Sequence, residues 1–592
     1  MRISRIQITN FRNFAALDLH LSENAVIVGE NKSGKSNLLY AIRLILDPAL
    51  PDSARQLRAE DFWDGLPRPL TRADKISISI DLTDFESNED LVALLCEHVV
   101  EPEPMTARLT YVFQAIETLE DEPTKESDYE FVVYGGDRLE SPVGYEIRKG
   151  LPVDLLPALR DAEGDIANWR RSPLRPLLDA VAGRITTEQL GTLADAITTA
   201  TREVAETTEV KELVDAINER VEKMVGSKHA METALGFSPT DPARLLRALR
   251  VFIDAGKRDI GAASLGSANV LYLTLKALEI DQAAREGQRY HTFLAIEEPE
   301  AHLHPHLQRL VYRDFLRAPA ADDGPRPVSI LLTTHSPHIA SVAPLRSIVL
   351  LRKTADGRAS EGVTTAKLTL GADVVADLER YLDVTRAEIL FAKAVILVEG
   401  EAERFLVPAL AKAAGIDFDE LGITVCSVAG TNFGPYLTLL GENGLQLPIA
   451  VITDGDPDGQ GAKRGDARIL SLLQGVALPN ELDGLTTGQK LGLAVNRGLF
   501  VGHHTFEIDL FAAGAHEEIA ETLSELAPNG AAKTRAERLR ADPATFDAVQ
   551  FLKDVNAISK GRFAQRLATR VAAGHLPGYI ENAIDYASTR CR

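Results

Sequence analysis

The run GENKSGKS at residues 29–36 constrains what this chain can fold into more than any other segment. The apolar residues 25–28 before it read as a buried strand, and NLLYAIRLIL after it reads as a helix. A strand, a glycine-rich loop and a helix in that order make a cradle for phosphate. Gly29 and Gly34 let backbone N–H groups turn inward, and the helix N-terminus adds positive partial charge. Lys35 would reach the β- and γ-phosphates, the Ser36 hydroxyl would ligate magnesium, and Asn31 and Asn37 belong to the same site. ATP carrying one divalent ion is the expected cofactor, on an α/β fold.

Far downstream, the apolar run 293–296 ends in Glu297 and Glu298. A carboxylate at the end of a buried strand can hold the magnesium, and one beside it can orient the attacking water. Glu297 is assigned to the ion and Glu298 to the water.

With NFRNF at residues 10–14, SLGSAN at 264–269, AIEEPEAHLHP at 295–305 and LLTTHSP at 331–337, this part of the chain resembles the SMC/RecF-like branch of ABC ATPases. The resemblance implies that Ser264 and Gly266 lie in the signature segment, which touches the γ-phosphate of an opposite subunit, and that His335 is the switch histidine. ATP would then be sandwiched between two copies in a homodimer. The signature departs from the common LSGGQ form, and Glu297 stands where most ABC proteins carry Asp. His302, His304 and His306 would project to one face if extended, but their place beside Pro305 reads as the D-loop region instead of a metal site.

Residues 75–145 alternate apolar and polar, as antiparallel strands do, whereas 174–231 carry apolar residues at spacings of three and four. The second stretch is too short for a long coiled-coil arm and reads as a helical insert for dimerisation; the alternative is a helical lobe packed on its own ATPase core. The expected divisions are 1–165 and 236–370 for the two ATPase parts, 166–235 for the insert and 371–592 for a further domain.

That last region opens with a polar helical segment at 371–391. A βαβ pattern follows, with strands expected at 394–398, 423–428, 449–453 and 499–502, which implies a parallel sheet. Acids fall at or just past the C-terminal ends of these strands: Glu399 with Glu403, Asp454 with Asp456, and Glu507 with Asp509. Ligands bind at that end of an open parallel sheet, so distant carboxylates can converge there. Such an oxygen-rich site suits magnesium or manganese, and two ions can drive phosphodiester hydrolysis.

The series VEGEAE, ITDGDPDG and TFEIDL, with VAGTNFGPY at 428–436 and SKGRFAQ at 559–565, resembles the Toprim domain carried by OLD (overcoming lysogenization defect) nucleases, a family that includes the nuclease subunit of Gabija phage defence. The resemblance covers nearly the whole chain, ATPase then Toprim. It implies that Glu399, Glu403, Asp454, Asp456, Glu507 and Asp509 hold two metal ions, with Glu399 counted as catalytic, and that Lys560 is the catalytic lysine. Asp458, in the same loop, is expected beyond the ligands. DNA as substrate, a helicase-like partner protein and a role in phage defence come with the same resemblance. Past Leu510 the chain reads as helices that deliver Lys560 to the site.

A formal net charge of -22 argues against a broad surface for nucleic acid, because phosphate contacts need Lys and Arg. Part of the acid is what a magnesium site requires. Lys553, Lys560, Arg562, Arg566 and Arg570 form either a local basic surface or an ordinary solvated helix face. No apolar run approaches the roughly 20 residues that span a bilayer and the N-terminus lacks a signal-peptide core, so a cytoplasmic protein is expected. The cysteines Cys96, Cys426 and Cys591 are too dispersed for a zinc finger or a disulfide framework, which weighs against a primase. A topoisomerase would need a tyrosine nucleophile on a separate gate domain, with Tyr579 and Tyr586 as the candidates. A nuclease-free ATP-gated clamp would leave the carboxylates without a role. The leading expectation is an ATP-hydrolysing, metal-dependent DNA endonuclease that nicks or cuts.

Overall fold

The computed structural model describes residues 1–591 except 139–140, 228–230, 236–248, 255, 317–326, 385, 443, 458–462 and 479. Strands β1 (Arg2–Phe11) and β2 (Phe14–His20) form a hairpin, and β3 (Ala25–Gly29) runs into the glycine-rich loop. With β4 (Lys75–Thr83), β5 (Val99–Pro102), β6 (Met105–Ala115) and β7 (Tyr129–Gly135), the hairpin builds an antiparallel sheet in the order β2-β1-β4-β6-β5, with β7 also on β6. The alternation in KISISIDL is the cause: Ile76, Ile78, Ile80 and Leu82 all turn to the core.

β8 (Val153–Leu156) joins a second sheet, and the short pair β9 (Phe252–Ile253) and β10 (Arg258–Asp259) precedes the signature segment. β11 (Thr292–Glu297), β12 (Val328–Thr333), β13 (Ile348–Lys353) and β14 (Ser360–Thr364) complete the order β14-β13-β3-β12-β11-β8, parallel except for the β13–β14 edge. The third sheet holds β15 (Ala394–Val398), β16 (Ile423–Ser427), β17 (Ile449–Thr453) and β18 (Leu499–Val501), all parallel, in the order β16-β15-β17-β18. β3, β15 and β17 are buried along their whole length, as strands covered on both faces must be.

Side-chain alternation divides these strands among three cores. Ala25 and Ile27 of β3 pack with the helix Lys35–Leu46 under the antiparallel sheet, whereas Val26 and Val28 face the other way. That second face shares one apolar core with Val395 and Leu397 of β15. Between them lies the turn Ala387–Phe391, whose Ala387, Ile389 and Leu390 are fully buried, so the end of the expected polar segment is instead an apolar wedge after the helix Ala372–Tyr381. Ala394, Ile396 and Val398 face a third core under the C-terminal helices.

The chain thus has the expected α/β architecture: a mostly parallel sheet that carries the phosphate loop, followed by a four-stranded parallel sheet with helical elaboration. The expected start of the insert, after residue 165, falls inside the helix Ala162–Ala167. Both this helix and Leu174–Ala182 contribute to a small core with Ala268 and Leu275 of the helix Leu265–Arg285, so the insert begins later. The expected insert also holds the helices Thr187–Ala205 and Thr208–Val225, and its expected end abuts 236–248, outside the described residues.

Candidate active sites

The phosphate loop is anchored from below. Gly34 has φ +97°, and a Cβ there would sit 2.1 Å from Asn13 Nδ2 of the β1–β2 turn, so only glycine fits. Asn13 Nδ2 donates to the Ser33 carbonyl at 3.1 Å, Asn37 Nδ2 donates to Asn13 Oδ1 at 2.6 Å, and Arg12 Nη1 donates to Asn37 Oδ1 at 2.8 Å. Asn37, expected at the nucleotide, therefore ties the loop to the hairpin, while Asn31 and Ser36 are exposed at the loop surface. Lys35 is buried and donates to the carbonyls of Gly29 at 3.0 Å and Glu30 at 2.9 Å. Burial lowers its pKa, against the pull of Glu298, Glu300 and Glu30. An ammonium that folds back on the carbonyls of its own loop is one for which a phosphate would be a better partner.

β12 lies between β3 and β11 and carries the switch. Glu298, at the end of β11, has φ +40° and its backbone N–H donates to the Thr333 carbonyl. Its carboxylate stands 3.6 Å from His335 Nε2, so the two residues assigned to ATP hydrolysis come together, and Glu297 pairs in register with Thr333. Burial, then Lys35, lowers the pKa of His335. Glu300, not singled out in the sequence, accepts from Thr334 Oγ1 at 3.0 Å and from the His335 N–H at 2.6 Å, clamping the switch loop. Gln308 does similar work: Ser336 Oγ donates to its Oε1 and its Nε2 donates to the Leu303 carbonyl. Ser264 caps the helix Leu265–Arg285 by accepting from the Ser267 N–H, and a Cβ on Gly266 would lie 2.6 Å from the His302 carbonyl. The segments 264–269 and 295–305 are therefore in close contact, with Ser264 and Leu265 exposed.

At the C-terminal edge of the third sheet, the helix Glu401–Ala413 brings Glu403 beside Glu399, and the helix Phe506–Ala512 brings Glu507 in from β18. Glu403 and Glu507 are buried. Asp454 Oδ1 accepts from the Phe506 N–H at 2.9 Å, fixing that helix to the end of β17. Ser559, at φ +82°, breaks the C-terminal helices so that Lys560 meets Glu507 at 3.2 Å. Burial, reinforced by Glu403, Glu399, Glu507 and Asp456, pushes Asp454 up to about 8; burial with Glu507 and Glu399 pushes Glu403 up to about 7. Burial opposes the charge of Lys560, but Glu507, Asp454 and Glu403 outweigh it and raise its pKa. Carboxyls that raise one another in this way form the donor set a hard divalent cation relieves. Among the described residues no three of these groups stand together at ligand distance. Cationic side chains engage the acids instead: Lys560 on Glu507, and Arg468, which the sequence reading missed, on Glu399 at 2.5 Å and Asp456 at 3.3 Å.

Other expected residues have different employment. Asp509 accepts the backbone N–H groups of His503 and His504, at 2.8 Å and 3.1 Å, so its carboxylate is engaged in the turn after β18. His304 and His306 stack on each other at 5.6 Å beside the helix Pro305–Leu316, without the extended spacing a metal site would need. Arg566 and Arg570 pair with Glu525, so part of that run is neutralised within the chain, while Lys553 and Arg562 are exposed. Tyr579 has a buried hydroxyl without a partner, and Tyr586 packs edge-on to Phe500 under Arg590, so neither is presented as a nucleophile. Asp458 lies outside the described residues. Non-glycine residues with positive φ recur at these sites, in Lys32, Glu298, His302, Asp456 and Ser559, which is where backbone strain serves function.

The family model described as "Overcoming lysogenization defect protein-like, TOPRIM domain" matches residues 390–456, and one described as "Protein of unknown function (DUF2813)" matches residues 1–370. The OLD nuclease of Thermus scotoductus is 28% identical over 463 residues, 77% of this chain and 82% of that protein. Endonuclease GajA of Bacillus cereus is 23% identical over 493 residues, 80% of this chain and 78% of that protein. Among solved structures, the C-terminal region of the Burkholderia pseudomallei OLD protein is 40% identical, covering 34% of this chain and 100% of that one, at a TM-score of 0.33.

Proposed function

Because the chain belongs to the OLD (overcoming lysogenization defect) family, we propose that this nuclease is a divalent-metal-dependent DNA endonuclease governed by ATP bound between two copies of the chain. The observation that carries the reading is the gathering of Glu403, Asp454 and Glu507 around Lys560, with Glu399 and Asp456 held beside them by Arg468 and two of the carboxyls holding their protons to about 7 and about 8. Bound magnesium or manganese, held by these five acids, would supply an activated water and charge for the leaving oxygen. The protein's own part is to hold the donors on strand ends and helix first turns, to exclude bulk water around Glu403 and Glu507, and to aim Lys560 at the scissile phosphate. Glu403 and Asp454 give up their protons as the ions enter.

On the ATPase side, Lys35 binds phosphate, Ser36 and Glu297 hold its ion, and Glu298 with His335 orients the water. The outward-facing Ser264 supports a dimer in which each copy completes the other's nucleotide site. A helicase-like partner and a role in phage defence belong to the same reading. No helix among the described residues is long and apolar enough to cross a membrane.

The test is conversion of supercoiled plasmid with magnesium or manganese, with and without ATP. Wild type is expected to nick or linearise it, Glu399→Ala to be slower by about 100-fold or more while still hydrolysing ATP, and Lys35→Ala to lose ATP hydrolysis. Intact plasmid under every condition, with ATP still hydrolysed, would replace this reading with an ATP-gated clamp.

A further inference from the structure

Arg468 sits where the acids of the third sheet need a cation. Its Nη1 donates to Glu399 Oε1 at 2.5 Å and to Thr453 Oγ1, and its Nη2 donates to Asp456 Oδ2 at 3.3 Å. The same Glu399 oxygen also accepts from Thr453 Oγ1 and from the Asp454 N–H at 2.9 Å, so its acceptor capacity is already spent. The Arg468 side chain is only 18% exposed, which makes this a built contact and not a surface pair.

The backbone beneath Arg468 cannot retreat. It stands in the first turns of the helix Arg464–Val476, whose start is seated on the Asp454–Asp456 turn: the Gly465 N–H donates to the Gly455 carbonyl at 3.0 Å, and the Arg464 N–H to Asp456 at 3.3 Å. A Cβ on Gly465 would lie 2.2 Å from the Asp454 carbonyl. Only rotation of its own side chain can take the guanidinium off Glu399, and it then remains beside the cleft, positively charged, next to an incoming cation. That position is unfavourable unless an anion comes between them, and a DNA phosphodiester is the anion the cleft receives.

We propose that Arg468 is a positioning residue that competes with the metal ion for Glu399 and Asp456 and, once displaced, binds the substrate phosphate, so that metal and DNA enter the site together. The proposal rests on the metal-dependent nuclease reading. Arg468 fits both tasks because its planar fork matches carboxylate and phosphate alike.

The experiment is manganese binding to the full-length protein, followed by electron paramagnetic resonance of the free ion, with and without a phosphorothioate-substituted DNA duplex. In wild type, DNA is expected to tighten manganese binding. Arg468→Gln should bind manganese about tenfold more tightly without DNA and lose most of the tightening caused by DNA, while its cleavage of unmodified duplex slows. Arg468→Lys, which keeps the charge but not the fork, should fall between the two and guards against a variant that does not fold. Manganese binding by Arg468→Gln or Arg468→Lys that is equal to wild type or weaker would overturn the proposal and reduce Arg468 to scaffolding. A wild type that neither binds manganese nor cuts DNA would overturn the nuclease reading itself.

Discussion

Glu403 and Asp454 keep protons that ordinary carboxyls lose near pH 4, because burial and mutual repulsion raise them to about 7 and about 8. Their folded pKa values lie above the unfolded ones, so without metal the folded state binds more protons. Stability is then complete below the ordinary carboxyl range and declines as pH rises through 7 and 8. In EDTA the stability should therefore fall as pH rises from about 5 to about 8 and level off above, at about 1.4 kcal/mol per pH unit for each group between its ordinary and its raised pKa, read as a falling melting temperature. Glu403→Gln should flatten that slope, and manganese should stabilise the protein more at pH 8.5 than at pH 6, as read by differential scanning fluorimetry. At this scale the sequence is informative where spacing alone dictates geometry. Lys35 and Gly34 were legible because the loop is local. Asp509 is harder to read: it lies two residues from Glu507 on a helix, where such neighbours point apart, and its carboxylate is taken up by the turn after β18. Arg468 was hidden because an arginine on an amphipathic helix reads as solvated until the docking of Gly465 is known.

At the level of elements, β3, β11, β15 and β17 were readable to within about a residue, since each is a short apolar run ending at an acid or a glycine. What could not be read was how loops between elements are locked. The loop after β12 depends on Glu300, an acid in the turn after β11 that takes two hydrogen bonds from Thr334 and His335. Glu300→Ala should leave ATP binding nearly unchanged, slow ATP hydrolysis about tenfold, and cost about 1–3 kcal/mol of stability through the two donors left unpaired. Steady-state ATPase assays with chemical denaturation check both parts. The break at Ser559 is equally invisible in composition, yet it turns two helices of the C-terminal region so that Lys560 enters the cleft.

For the whole molecule, the decisive feature is the core that runs from Val26 and Val28 of the phosphate-loop strand, through Ile389 and Leu390, to Val395 and Leu397 of the strand ending at Glu399. Glu30 of the phosphate loop also meets Lys393 at 3.4 Å, at the foot of that strand. Leu390→Ala should cost about 2–5 kcal/mol and lower ATP hydrolysis and DNA cleavage together, with a single calorimetric transition that moves as a unit. Variants at Glu399 or Lys35 should, by contrast, separate the two activities. An apolar floor held in common also restricts how such a protein can be recombined. A nuclease sheet grafted from a distant relative would arrive shaped to another ledge, and would find no complementary surface unless the Ala387–Phe391 wedge travelled with it. The natural crossover point for chimeras thus lies ahead of that wedge, on the ATPase side, and not at the first residue of the nuclease sheet.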